Sequence, residues 1–416
     1  MRKISKATLQ VGWKKDLRLV LFPAAAAFLG AIAWGYGDLA GLAAGIFVLW
    51  SMAENRLEAY TIALAYYLGG SWVIPDASRA FFGHDWSFLA GLAMWFAAAA
   101  INAAPWAWLR PSMGQTVKVA IRQNVLRLGV LAILLSIPPL AFVGWLNPFL
   151  GAAWFFPGAG FWAFLGGFGI IVAIVTVLPR SRNVVVASAL IALTFGCAAY
   201  LGQRELPPAP SDWVGIETRL GAFPITAMER FDSHVFIATE SDRQIRHGKR
   251  VIVFPETVLG NWEDKITGAF LAGALKKQLA DTGATVIAGA LFQSAAPGES
   301  INGVIVIDGE KAVRLDSRQP IPVSMWRPWS EETVRSNWAS TGVHTIANRK
   351  VLLSFCYEDF VPLLHLIGFA LDKPELIVSV ANGWWVKNTN EPAIQYRHIA
   401  TIARVFDTPL VRALNR

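Results

Sequence analysis

Long apolar segments follow one another through the first half of the chain, separated by short polar stretches. An α-helix needs about 20 apolar residues to cross a lipid bilayer, and most of these segments approach that length, although the second is shorter. The pattern therefore predicts seven membrane-spanning helices, at residues 17–36, 39–53, 57–74, 87–109, 126–146, 160–178 and 184–202.

Basic residues are unevenly distributed between the predicted helices. They are concentrated in the N-terminal tail (1–16) and in the segments after the fourth and sixth helices, whereas the alternate segments contain few. Because lysine and arginine accumulate on the cytoplasmic side of a membrane protein, we expect a cytoplasmic N-terminus. An odd number of spans then places the chain after residue 203 on the opposite side. The residues that carry this pattern are Arg2, Lys3, Lys6, Lys14, Lys15, Arg110, Lys118, Arg122, Arg180 and Arg182.

The polar and proline-rich stretch "QRELPPAPSD", which begins at residue 203, ends the apolar region. After it, short β-branched runs alternate with helix-length segments. Strands that are apolar on both faces and alternate with helices indicate an α/β domain whose sheets are covered on each side. We therefore predict a basic tail (1–16), a membrane domain (17–203), a linker (204–212) and an α/β domain (213–416).

Composition supports the membrane assignment and narrows the chemistry. The chain is 54% apolar and only 16% charged, with a formal net charge of +8. The basic residues that set the topology account for much of that charge, so we expect no direct binding of nucleic acid. Histidine and cysteine show no metal-ligand spacing and no glycine-rich phosphate loop follows a strand, so neither a metal nor another cofactor is expected.

Two reactive side chains follow directly after apolar, strand-like runs. Glu256 ends the run in "VIVFPET", and Cys356 ends the run in "SFCYED". The other cysteine, Cys197, lies inside an apolar segment, where it is expected to pack as a small hydrophobic residue. Either candidate alone is more typical of a structural residue, but a thiol and a carboxylate together suit acyl transfer through a thioester.

These two motifs, taken with "VSVANGWW" further along, resemble the nitrilase (carbon–nitrogen hydrolase) superfamily. With a membrane domain in front, the chain is similar to the apolipoprotein N-acyltransferases and, more closely, to conjugal transfer proteins of the TraB type. The resemblance implies an αββα sandwich in which Glu256 is the base and Cys356 the nucleophile. It also places further residues in or near the site, namely Tyr357, Glu358, Asn382, Trp384 and Trp385.

The chain departs from the superfamily pattern at the third catalytic position. The family has a lysine followed by a glutamate in the stretch that corresponds to "RLDSRQPIPVSM", and here Ser317 and Met325 occupy those positions. The lysine supplies positive charge where the oxyanion develops. Two residues are candidates for its place: Arg318, after a shift of one residue, and Ser317, whose hydroxyl donates a single neutral hydrogen bond.

The segment "SMWRPWSEETVRSNW" (324–338) concentrates tryptophan and arginine in a part of the family that covers the active site. Trp326 is the member we place near the site. Such residues suit a membrane interface, and an exposed loop with its indoles packed against the domain is the alternative.

The resemblance implies a multi-pass protein of the bacterial inner membrane with a periplasmic catalytic domain. The expected acyl donor is a membrane lipid, the expected acceptor is an amine on a protein, and the expected partners belong to the conjugation machinery. Two alternatives remain open: a scaffold whose catalytic set has decayed, which the missing lysine favours, and a periplasmic amidase with water as the acceptor.

Overall fold

The computed structural model describes residues 6–83, 86–111, 116–137, 140, 146–181, 184–202, 205–221, 226–262, 264–309, 311–386 and 389–416. The chain forms two compact units, Met1–Glu205 and Leu206–Arg416.

Helices make up the described part of the first unit. A 3₁₀ helix, Ala40–Ala44, precedes the second α-helix. The α-helices are α1 (Lys6–Gly35), α2 (Gly45–Ser51), α3 (Arg56–Gly70), α4 (Ile74–Phe82), α5 (Ser87–Trp108), α6 (Val117–Leu134), α7 (Pro148–Ala153), α8 (Phe161–Ser181) and α9 (Val184–Leu201).

Among the described residues of this unit, three segments are long and apolar enough to cross a membrane: Leu17–Gly35, Ser87–Trp108 and Phe161–Arg180. Large apolar side chains on these helices point outward, among them Leu89, which is 67% exposed, and Trp162, which is 75% exposed. Exposed apolar surface of this kind is unfavourable in water and is expected against lipid. The chain is therefore a membrane protein.

The helices differ from the predicted spans in several places, since among the described residues only three of the seven predicted spans correspond to helices long and apolar enough to cross a membrane. The predicted second span is a 3₁₀ helix followed by the seven-residue α2, which at about 1.5 Å per residue is too short to cross a bilayer. The amphipathic helix α4 was not predicted. Part of the predicted fifth span and the tail residues Arg2 and Lys3 lie outside the described residues.

Close packing of α1 against α3 depends on glycine. A Cβ on Gly30 would lie 2.2 Å from the carbonyl oxygen of Tyr66, and one on Gly69 would lie 2.1 Å from that of Ala27. Small residues of this kind let the backbones of neighbouring membrane helices approach closely. The Trp34 Nε1 also donates a hydrogen bond of 2.9 Å to the Tyr66 hydroxyl, so the two helices are joined by polar as well as apolar contacts.

The second unit contains two β-sheets. The first has the strand order β1-β3-β4-β5-β6, with β7 beside β5, and the second has the order β2-β11-β10-β9-β8. The strands are β1 (Trp213–Gly215), β2 (Glu217–Thr218), β3 (Val251–Val253), β4 (Thr285–Gln293), β5 (Glu299–Ile307), β6 (Ala312–Asp316), β7 (Thr333–Val334), β8 (Val343–Ile346), β9 (Arg349–Phe355), β10 (Leu376–Asn382) and β11 (Leu410–Asn415).

Alternate residues of each strand face the opposite sheet. Val253 and Val304 of the first sheet share one apolar core with Val351, Phe355 and Val378 of the second. This alternation follows from the two-residue period of a strand, and it shows that the sheets pack face to face.

Helices cover the outer faces. Ile237 and Leu275, on α10 (Ala227–Arg246) and α11 (Ala269–Thr282), pack against the first sheet. On the second sheet, His365 of α12 (Pro362–Leu371) contacts Ser354 of β9, with 3.0 Å between Nε2 and Oγ. Together with α13 (Glu391–Val405), these elements form the predicted αββα arrangement. The predicted fold class is confirmed.

Candidate active site

Glu256 lies just beyond the end of β3, where the chain turns sharply. The next residue, Thr257, has a φ of 55°, an uncommon conformation for a residue with a side chain. A Cβ on Gly289 of β4 would lie 2.5 Å from the Glu256 Cα, so the turn packs directly on the neighbouring strand. Glu256 is only 5% exposed.

Cys356 occupies the corresponding position at the end of β9. It begins a 3₁₀ helix, Cys356–Phe360, with a φ of 43°, and strained backbone of this kind is often found at functional sites. Its carbonyl oxygen accepts a 2.7 Å hydrogen bond from the Gln395 Nε2. The side chain is partly exposed, and its thiol donates a hydrogen bond to the Glu256 carboxylate.

Burial shapes the acid–base properties of this pair. Desolvation raises the pKa of Glu256 to about 7, although hydrogen bonds from Asn302, Cys356 and the backbone of Asn382 oppose the rise. Desolvation also raises the pKa of the Cys356 thiol well above its ordinary value, and the negative charges of Glu256 and Glu391 add to that effect. A carboxylate that titrates near neutral pH is suited to act as a general base.

Asn302 lies next to Glu256, and Ser317 lies next to Asn302. The Asn302 Nδ2 donates a 2.7 Å hydrogen bond to the Glu256 Oε1, and the Ser317 backbone N–H donates a 2.8 Å bond to the Asn302 carbonyl oxygen. Both side chains are buried. Within the described part of the chain, the Asn302 Oδ1 and the Ser317 Oγ have no hydrogen-bond partner.

Arg318 is occupied by structural contacts. Its side chain is 1% exposed and forms an ion pair with Glu358, with 3.0 Å between Nη2 and Oε2. An arginine has five N–H donors. In Arg318, one donor on Nε and one on Nη2 bond to the Glu358 carboxylate. The other three donate to the carbonyl oxygens of Leu353, Thr341 and Leu364. The structure therefore leaves no donor of Arg318 free for a substrate oxyanion.

A chain of amide side chains joins the ends of three strands. The Asn382 Nδ2 donates to the Thr257 Oγ1 at 2.9 Å, and the Asn415 Nδ2 donates to the Asn382 Oδ1 at 2.9 Å. Asn415 also accepts hydrogen bonds from the Thr218 hydroxyl and the Leu220 N–H. Asn382 and Asn415 are register partners on the parallel strands β10 and β11. They hold the turn that contains Glu256 against the edge at which the parallel strands end.

The remaining predicted site residues lie in three segments of the second unit. Tyr357 is buried within the 3₁₀ helix that begins at Cys356. Trp384 and Trp385 are partly exposed in a 3₁₀ helix directly after β10. Trp326 is partly exposed in the tryptophan-rich segment, whereas Trp329 of the same segment is 69% exposed.

Three residues near the pair were not predicted as members of the site. Asn302 interrupts an apolar strand, a signal visible in the sequence. Glu391 is an acidic residue in the first turn of α13, a position typical of helix ends, and burial raises its pKa to about 7. Gln395 carries no such signal in the sequence, and only the tertiary structure shows that it contacts the backbone of Cys356.

This arrangement contains a thiol and a neighbouring carboxylate, the nucleophile and base that acyl transfer through a thioester requires. The carboxylate of Glu256 is hydrogen-bonded to the thiol, so it is placed to remove the thiol proton as the sulfur attacks a carbonyl carbon. The other groups that act on the pKa of the two residues are Asn302, Asn382, Glu358 and Glu391, and none of them is a cation. In the part of the chain that the structure describes, no cluster of three or more histidine, cysteine, aspartate or glutamate residues could hold a metal ion.

The solved structures to which the chain is similar include amidases. The chain is similar to an amidase from Nesterenkonia sp., with 14% identity over 49% of this chain and 74% of that one and a TM-score of 0.35. It is also similar to a variant of the Nesterenkonia AN1 amidase from the nitrilase superfamily, with 14% identity over 43% of this chain and 68% of that one and a TM-score of 0.31.

Sequence relatives extend over both units. No protein-family model matches the chain. It is 29% identical to a probable conjugal transfer protein TraB of Sinorhizobium fredii, over 95% of this chain and 97% of that protein. It is 31% identical to the conjugal transfer protein TraB of Agrobacterium fabrum, over 97% of this chain and 93% of that protein. At this identity over nearly the whole length, the chain belongs to the family of conjugal transfer protein TraB.

Proposed function

We propose that this protein supports conjugal transfer as a membrane-anchored acyltransferase that uses Cys356 as its nucleophile and Glu256 as its base. The observation that carries the proposal is the hydrogen bond between the Cys356 thiol and a buried carboxylate whose pKa is raised to about 7. A structural cysteine does not require a carboxylate as its hydrogen-bond partner, and ionising a buried carboxylate is unfavourable.

The reaction has two halves. In the first, Glu256 takes the thiol proton, the sulfur attacks the ester carbonyl of the donor, and the leaving alcohol takes the proton back as the C–O bond breaks. In the second, an amine gives a proton to Glu256 and attacks the thioester, so that a C–N bond forms and the C–S bond breaks. The thiolate then recovers the proton. Every bond and proton is accounted for without a cofactor.

The donor and acceptor classes follow from the setting of the enzyme. Membrane-spanning helices in the same chain give access to phospholipid esters, whose acyl chains need not leave an apolar medium to reach a membrane-bound enzyme. We place the α/β domain in the periplasm on the charge bias of the predicted loops. The acceptor is an amine on a protein, and the components of the conjugation machinery are the partners.

The direct test is to trap the acyl-enzyme. The full-length protein is purified from membranes and analysed by mass spectrometry, alone and with Cys356→Ala and Cys356→Ser. We expect an adduct on Cys356 in the parent, no adduct in the alanine variant, and an ester-linked adduct in the serine variant. Cys197→Ala is the matched control and keeps the adduct.

Conjugation frequency provides the second measurement. Donor cells that carry Cys356→Ala should form fewer transconjugants than donors that carry the parent or Cys197→Ala at equal protein level. A parent without an adduct, together with full transfer by both Cys356 variants, would exclude the catalytic function.

One observation favours a second candidate, a scaffold without catalytic activity. Ser317 stands where the superfamily has a lysine, and all five donors of the neighbouring Arg318 are used within the domain. A scaffold predicts that the Cys356 variants conjugate as well as the parent, while variants that unfold the α/β domain do not.

A further inference from the structure

The unpartnered atoms beside Glu256 form a group on one face of the first sheet. Strands β5 and β6 are antiparallel with Gly303 opposite Asp316, so the same register places Asn302 opposite Ser317. Side chains directly opposite each other in an antiparallel pair project from the same face, with Cβ atoms about 5 Å apart. The hydrogen bond from Asn302 to Glu256 brings the carboxylate to the same place.

Two of these side chains, Asn302 and Ser317, carry an oxygen acceptor without a donor among the described residues. In the described chain, the Asn302 Oδ1 receives no hydrogen bond, and the Ser317 Oγ has no partner although the residue is 1% exposed. Leaving buried polar atoms unsatisfied costs free energy. The two atoms and the Glu256 carboxylate therefore suit a small group that offers several donors at once.

The charge around these atoms is negative. Glu256 and Glu391 both raise the pKa of Cys356, and Glu358 acts in the same direction on Glu256. Arg318 balances the charge of Glu358 one for one. Arg412, in contrast, is a single cation that acts on two carboxylates, Glu391 and Asp359. The surroundings therefore favour a cation over a neutral or anionic group.

We propose that Glu256, Asn302 and Ser317 form a binding site for a primary ammonium group, and that this group is the protonated amine of the acyl acceptor. A primary ammonium has three N–H donors, one for the carboxylate, one for the Asn302 Oδ1 and one for the Ser317 Oγ. The ammonium site stands on this geometry alone, and its assignment to the acceptor rests on the proposed function.

An ammonium at this position has two effects. Its charge stabilises the negative charge shared by Cys356 and Glu256, so the thiolate forms at lower pH. It also delivers the amine directly to the base: Glu256 accepts one proton of the ammonium and releases it to solvent, and the neutral amine then gives its second proton to Glu256 as the nitrogen attacks the thioester. The substrate thus supplies positive charge that the side chains around the pair do not.

The test uses the rate at which iodoacetamide alkylates Cys356 in the full-length protein, followed by peptide mass spectrometry across pH. Methylammonium is the probe, and tetramethylammonium at equal concentration is the control because it has the same charge but no N–H donor. We expect methylammonium to lower the pH midpoint of alkylation by about one unit, a tenfold faster reaction below the midpoint. Tetramethylammonium should leave the midpoint unchanged.

Substitutions at Ser317 locate the effect. Ser317→Lys places a tethered ammonium in the site, so its midpoint is lowered without any added amine and methylammonium has no further effect. Ser317→Met is the control, since methionine is similar in length to lysine but uncharged. Its midpoint should not be lowered without added amine. Thermal unfolding of each variant is measured to check that the domain remains folded.

If both cations shift the pH midpoint of alkylation equally, the effect is ionic screening. If neither cation shifts the midpoint, water alone satisfies these atoms. Either result contradicts the proposed ammonium site. Alkylation requires no acyl donor. A methylammonium effect without an acyl-enzyme would therefore contradict the proposed acyl transfer while leaving the ammonium site in place.

Discussion

At the scale of single residues, the site depends on what burial does to charged groups. Glu256 and Arg318 are both buried and charged in their ordinary states, yet they differ in their hydrogen-bond and ion-pair partners. Arg318 is fully paired, so its charge is compensated. For Glu256, desolvation by burial raises the pKa of the carboxyl, and the neutral hydrogen-bond donors around it offset that rise only in part.

The raised pKa of Glu256 predicts the pH dependence of the reaction. Only the ionised carboxylate can accept the thiol proton, so acylation of Cys356 should rise with pH and reach half its maximum near pH 7. Glu256→Gln should lower the rate by roughly 10²- to 10⁴-fold. Initial rates of thioester formation from pH 5 to 9 measure both effects. A flat profile between pH 5 and 8 would contradict the assignment of Glu256 as base.

The pairing of Arg318 with Glu358 predicts a large effect on stability. Arg318→Met should lower the free energy of unfolding by about 3–5 kcal/mol, because Glu358 is left buried without its partner. The matched control is Arg314→Met on the adjacent strand, where the pair with Asp316 is partly exposed and should contribute less than about 1 kcal/mol. Denaturant unfolding of the two variants compares them, and equal losses would contradict the structural role of Arg318.

At the scale of elements, the site is assembled where strands end. Parallel strands β9, β10 and β11 finish at one edge, so Cys356, Asn382 and Asn415 follow one another across the sheet. The end of β3 brings Glu256 to them from the facing sheet, and the hydrogen bond from Asn382 to Thr257 connects the two. The position of Glu256 therefore depends on how closely its turn packs against β4.

Gly289 of β4 tests that dependence. In Gly289→Ala the new Cβ would lie 2.4 Å from the Thr257 nitrogen and 2.5 Å from the Glu256 Cα, which no ordinary contact allows, so the turn must move. We expect slower acylation of Cys356 and a lower unfolding temperature.

The control for this variant is Gly273→Ala on α11. A Cβ there meets open space, and alanine is favoured over glycine in a helix by about 1 kcal/mol. It should retain full activity and equal or higher stability. Unchanged acylation in Gly289→Ala would show that the turn does not position the base.

At the scale of the whole molecule, the chain combines apolar helices with an α/β domain. In the part of the chain that the structure describes, three helices are long and apolar enough to span a bilayer. The protein should therefore remain in the membrane pellet after extraction at alkaline pH, which releases peripheral proteins. Immunoblotting of pellet and supernatant checks this, with a soluble protein and a known integral protein as controls. Recovery in the supernatant would contradict membrane insertion.

Much of the architecture could be read from the sequence because it depends on local patterns. Apolar runs of helix length predicted α1, α5 and α8, and β-branched runs predicted most strands of the second unit, including β4 at its observed bounds. The second predicted span is a 3₁₀ helix followed by the short α2, because an apolar run of intermediate length does not by itself determine one continuous helix. Glu256 and Cys356 were identifiable because each directly follows a strand.

Tertiary structure decided how the site is completed. Arg318 and Glu358 are forty residues apart in sequence, and only the contact between the loop after β6 and the 3₁₀ helix after β9 shows that the arginine is fully occupied. Likewise, the register of β5 and β6 determines that Asn302 and Ser317 share a face with Glu256. Residue types and local periodicity thus determined which groups are reactive, whereas long-range strand pairing and burial determined their partners and their charge.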